Sequence, residues 1–180
     1  MLKITIPGQE FWDERKGEFV NTKDTTLQLE HSLISLSKWE SRWHKPFLGR
    51  EDKTMEETLD YIRCMTVTRN VDPLVYDSVT NDIIGEISRY IDDSMTATWF
   101  SEEDKKSAVR DVITAEIIYY WMIAYNIPFE CQKWHLNRLL TLIRVCSVKN
   151  ASPKKNSKKE TLKNYAALNA ARRKALKSKG

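Results

Sequence analysis

The side chains best suited to chemistry are few. His31, His44 and His135 are the histidines of the chain, and Cys64, Cys131 and Cys146 are its cysteines. A metal site readable from sequence needs HxxxH or HExxH spacing, or two cysteines a few residues apart, so that imidazoles or thiolates converge on one ion. None of the six residues stands in such a pair. Cysteines that are odd in number, widely spaced and set in apolar stretches read as buried free thiols rather than disulfides. The chain has no glycine-rich phosphate loop and no nucleophile elbow. Its acids are scattered on polar helix faces, where solvated surface is the ordinary outcome. His135, beside Trp134, reads as a satisfied residue at the edge of a core. The expectation is a protein that is not an enzyme and takes no cofactor and no metal.

Aromatic side chains are the stronger signal. Trp39, Trp43 and Phe47 fall within nine positions, with Trp39 and Trp43 at i, i+4 on one helical face. They have two readings: residues of the core, which aromatics dominate, or anchors in a groove for a protein partner, where tryptophan is enriched. Tyr119, Tyr120, Trp121 and Met122 are consecutive, and successive helical residues point about 100° apart, so the cluster must meet more than one surface. Tyr119 and Tyr120 join Trp39, Trp43 and Phe47 as candidate partner-binding residues.

These residues must be positioned by a mainly helical domain. Leu2, Ile4 and Ile6 alternate with polar residues up to Pro7, and Leu27 and Leu29 do so after Thr25-Thr26, predicting two short strands. A third strand is expected around Glu18–Val20, with residues 12–17 as a turn. Such a hairpin is marginal unless its apolar face is covered. From Ser32 the period becomes helical, with Ser32 as N-cap and a stop at Pro46 and Gly49. Thr54 and Glu57 form a capping-box pattern opening a second helix. Pro73 interrupts the next stretch, leaving a connection over residues 67–76 with one short turn. Thr80 caps a helix carrying Ile83, Ile84, Ile87 and Ile91. A long helix is predicted from Ser101, with Glu102, Glu103 and Asp104 at the positive end of its dipole. It is expected to run through Val109, Val112 and Ile113 to Ala124 and to be the most buried element, because residues 117–124 are apolar almost all round. A last body helix is expected over 129–146.

The charge is divided along the chain. The formal net charge is +4, but from Lys149 onward eleven Lys and Arg face the single acid Glu160, a local net of +10, which leaves −6 on residues 1–148. Residues 149–160 have linker composition, and 161–180 read as a basic helix that needs a partner to be fully formed. The expected organisation is therefore a helical domain over 1–148 with a small β-hairpin in about residues 1–30, a basic linker and a basic C-terminal helical arm. Lys154, Lys155, Lys158, Lys159, Arg172 and Arg173 give the arm phosphate affinity in principle, but with Tyr165 as its one aromatic and no reading module, nucleic acid is possible and not favoured. No apolar run has the length of a membrane span, and the N-terminus lacks the order of a signal peptide, so a soluble protein without membrane contact is expected.

Four stretches carry a resemblance: LEHSLISLSKWESRWHKPFL at residues 29–48, TMEET at 54–58, IIYYWMIAYNIPFE at 117–130 and WHLNRLL at 134–140. The chain resembles the tail assembly chaperones encoded by tailed bacteriophages. The resemblance implies a protein that holds the elongated tape-measure protein soluble, helps recruit tail-tube subunits, acts as a homo-oligomer in the host cell cytoplasm and is absent from the mature virion. It also implies that the segment after Lys149 is an extension of the frameshift type that recruits those partners. The alternatives are a permanent structural subunit of a tail or neck, and a nucleic-acid-binding accessory protein using the basic arm.

Overall fold

The fold begins with a chain doubled back on itself. A computed structural model describes residues 1–13, 17–49, 52–98, 100, 112–151 and 158–176. Strands β1 (Leu2–Ile6) and β4 (Thr25–Leu29) pair antiparallel with Leu2 opposite Leu29 and Ile4 opposite Leu27. Because side chains alternate across a strand, Ile4, Ile6, Leu27 and Leu29 share one buried face, while Thr5 and Thr26 meet on the other through their hydroxyls at 3.0 Å. Between them β2 (Glu10–Asp13) and β3 (Glu18–Asn21) form an outer ribbon. The joint requires Gly8: its N–H donates to Asp24 Oδ1 at 2.8 Å, and a Cβ there would lie 2.3 Å from the Thr22 carbonyl oxygen. The expected turn over 12–17 is corrected at its start. Trp12 and Asp13 belong to β2, because Trp12 finds a cross-strand partner in Phe19, edge to face at 4.9 Å, a pairing that favours the extended ribbon.

Helix α1 (Leu33–Trp43) starts as predicted, with Ser32 Oγ accepting the Ser35 N–H at 3.3 Å. It ends before Pro46, at His44, whose left-handed backbone (φ 51°) returns its N–H to the Glu40 carbonyl at 2.9 Å. Helix α2 (Met55–Met65) has the full capping box: Thr54 Oγ1 accepts the Glu57 N–H, and Glu57 Oε2 accepts the Thr54 N–H. After α2 the chain runs beside β4, where the Val67 N–H donates to Gln28 O and the Glu30 N–H to Met65 O. A 3-10 helix over Pro73–Ser78 follows, then α3 (Asn81–Asp92) capped by Thr80. Helix α3 packs on β1 and so covers the hairpin's apolar face, while α1 packs on α2 and α4.

Two predicted helices are broken. Residues 112–114 are not helical, and α4 is Ala115–Ala124; Ser101 and Val109 lie outside the described residues. The break is fixed from a distance, because the buried Glu40 carboxylate of α1 accepts the Ala115 N–H on Oε2 and the Phe47 N–H on Oε1, each at 2.8 Å. An acid at a helix N-terminus satisfies an orphan donor and faces the positive end of the dipole. The helix expected over 129–146 is likewise divided into a 3-10 helix (Phe129–Lys133) and α5 (Leu136–Asn150). Trp134 is extended between them, since His135 bridges Ser32 and the Leu136 N–H donates to His31 O at 2.8 Å. Helix α5 also continues through Lys149, which the linker was expected to include.

The chain divides into two compact units, Met1–Cys146 and Ser147–Gly180. The first holds the core described above. The second contains α6 (Lys158–Leu176), which starts three residues before the predicted basic helix and leaves Leu162, Tyr165, Leu168 and Leu176 exposed. Lys154 and Lys155 lie outside the described residues. The architecture is mainly helical with small N-terminal strands.

Candidate protein-binding surface

In the first unit, rings run in contact through the core. Trp43 stacks on Trp39, Trp39 meets Phe47 edge to face, Phe47 stacks on Tyr61 at 3.9 Å, and Tyr61 meets His31. The chain of rings continues through His135, 5.1 Å from His31, to Tyr90. Burial, and then the neighbouring His135, hold His31 down at about 3 from its ordinary 6.5. Burial also lowers His135. Both rings are therefore neutral near pH 7. Nδ1 of His31 pairs with the Tyr61 hydroxyl, and Nε2 of His135 donates to the Tyr90 carbonyl at 2.9 Å, which leaves His135 Nδ1 buried without a partner. This cluster welds β4, α1, α2, α3 and the start of α5. Its ring contacts and hydrogen bonds hold these elements together.

The placement of the candidate anchors follows from that core. Trp39 is 2% exposed and donates its indole N–H to Glu57 O at 2.9 Å; Phe47 is 8% exposed. Neither stands on the outer surface: Trp39 is buried against α2, and Phe47 lies between Trp39 and Tyr61. Trp43 is half-buried, with its indole N–H on Asp60 Oδ2 at 3.0 Å. The capping carboxylate of Glu57 also takes the Lys45 ammonium at 2.7 Å, and this hydrogen bond lowers its pKa.

Helix α4 behaves differently. Ala115, Ile118 and Met122 are fully buried at i, i+3, i+7. Tyr120 and Ile123, however, are 66% and 62% exposed, and Ala124 is exposed with them. The expectation that this is the most buried element is corrected. Its composition is apolar on every side, but Tyr120, Ile123 and Ala124 are exposed while Ala115, Ile118 and Met122 are buried. Tyr119 is half-buried, donates its hydroxyl to Gln132 Oε1 at 2.9 Å and lies 6.3 Å from the exposed Phe129 ring. Tyr119, Tyr120, Ile123 and Phe129 thus form an apolar surface with a hydrogen-bonded tyrosine at its edge. Sequence reasoning selected the two tyrosines and missed Ile123 and Phe129. The exposed Trp12 and Phe19 of the β2–β3 ribbon were missed as well, for want of a clear strand pattern.

In the second unit, Arg172 and Arg173 are exposed on α6, and Lys158 and Lys159 lie in its first turn. Among the described residues no three His, Cys, Asp or Glu side chains are grouped to hold a metal ion, and no helix is long and apolar enough to cross a membrane. All three cysteines are free, with Cys64 and Cys131 buried.

No protein-family model matches the chain, and no curated protein or solved structure matches it significantly.

Proposed function

We propose that this chain is a protein-binding assembly factor of the tail-chaperone kind, which covers apolar helical seams of a tape-measure protein and helps recruit tail-tube subunits before the tube closes. The observation that carries the reading is the outward face of α4, where Tyr120 and Ile123 are exposed and Tyr119 lies near the exposed Phe129 ring. Exposed contiguous apolar surface marks interaction sites in monomeric proteins, and an apolar helix face is the usual element of helix-in-groove recognition. The resemblance of residues 29–48 and 117–130 supplies the partner class. A long helical partner that exposes apolar seams aggregates unless covered, and many modest contacts by repeated copies suit a cover that must later be displaced.

Co-expression with a tape-measure protein from the same genome tests the proposal. Soluble yield of that protein should rise several-fold; no gain overturns the reading. A permanent tail or neck subunit would use the same face, and mass spectrometry of purified virions separates the two, since a chaperone is absent from them. The exposed Arg172 and Arg173 of α6 favour a second reading, nucleic-acid binding by the arm, which requires affinity that falls steeply with salt.

A further inference from the structure

A cavity of about 160 Å³ opens between α2 and α3, lined by Phe47, Tyr61, Ile62, Ile84, Ile87 and Ile91 among others, with Lys53, Thr58 and Ser88 contributing polar groups. Its floor is well packed: Ile62 and Ile87 are fully buried, and Phe47 stacks on Tyr61, whose hydroxyl pairs with His31. Ile84 and Ile91 are only half-buried, so the fold leaves apolar surface uncovered inside the cleft. The volume matches a cavity that accepts one benzene-sized ring.

Lys53 is the cation that lines this cavity. The Lys53 ammonium lies 4.3 Å from the Phe47 ring centroid and 6.0 Å from that of Trp39, and among the described residues no carboxylate is within ion-pair distance of it. A cation over ring faces gains modestly from the aromatic quadrupole, and it retains its hydrogen-bonding capacity for an anion. Nearby, the Thr58 hydroxyl donates to the Thr54 carbonyl at 2.9 Å, so its oxygen remains an acceptor, and Ser88 is exposed. An apolar cleft with a few convergent polar groups and one charged group is the ordinary form of a small-molecule site.

We propose that this cleft binds a small amphiphilic monoanion, an aryl or short alkyl carboxylate, with its apolar body on Phe47, Ile84 and Ile87 and its carboxylate on the Lys53 ammonium. The site lies apart from the outward face of α4 and does not depend on the protein-binding reading. The probes are 3-phenylpropionate, 3-phenyl-1-propanol and 3-phenylpropylamine, titrated into the full-length protein by two-dimensional NMR. The acid should bind roughly tenfold more tightly than the alcohol, the scale of a charge-assisted hydrogen bond, and the protonated amine should bind least, with shifts concentrated in α2 and α3. Lys53→Gln should bring the acid to the alcohol's affinity and leave the alcohol unchanged. Ser88→Trp, a change at an exposed lip position, should abolish binding of both without altering the fold seen by circular dichroism. No shifts at millimolar acid, equal binding of acid and amine, or acid binding unchanged in Lys53→Gln would overturn the proposal.

Discussion

Helices α1 and α4 are both rich in aromatic residues, and the fold uses them in opposite ways. On α1, Trp39 and Trp43 each have a carbonyl or carboxylate waiting on α2 for the indole N–H, Glu57 O and Asp60 Oδ2. On α4, Tyr120 and Ile123 point into water. A buried indole must satisfy its donor, so a helix that presents such acceptors determines which tryptophans go inside. Aromatic density alone does not distinguish a core from a binding face; the polar groups of the neighbouring element do.

The largest effect that would sharpen this contrast is on stability. Trp39→Ala should destabilise by about 3–5 kcal/mol, since it removes a fully buried ring and leaves the Glu57 carbonyl without its donor. Urea denaturation measures it, and a loss no greater than that of Tyr120→Ala would break the comparison. Glu40→Ala comes next. It leaves the Phe47 and Ala115 N–H groups without the carboxylate that accepts both, at a cost of about 2–4 kcal/mol, and hydrogen exchange should show the first turn of α4 fraying. The third effect appears only in acid. His31 is neutral in the folded state, with a pKa of about 3 against an ordinary 6.5, so between those values the unfolded chain binds a proton that the native one refuses. Stability contributed by this group is present above pH 6.5 and is lost as pH falls toward 3, by up to about 1.4 kcal/mol per pH unit. His31→Asn should remove one proton's worth of that slope in denaturation series run from pH 7 to 4.

Local signals were legible and distant ones were not. Ser32, Thr54 and Thr80 marked three helix starts, because capping is a contact over three residues. The breaks at 112–114 and at Trp134 were invisible, because Glu40 lies 75 residues before Ala115 and His31 about a hundred before Leu136. The outer ribbon was half-seen: Phe19 and Val20 suggested a strand, but Trp12 sat among charges and read as turn. Among the candidate site residues, Tyr119 and Tyr120 do reach the surface of α4, whereas Trp39 is buried against α2 and Phe47 against Tyr61, contacts between elements that the periodicity of one element does not contain. The cavity at Lys53 was illegible for the same reason, being made by α2 and α3 together.

The central claim is that α4 binds protein through its outward face while its inward face holds the fold. Tyr120→Asp combined with Ile123→Asp tests it most directly, with thermal stability and the soluble yield of a co-expressed tape-measure protein measured on the same variant. The account predicts a stability change within about 1 kcal/mol, as is usual for surface positions, together with loss of the solubilising effect. Retention of that effect in a variant that folds normally would contradict it.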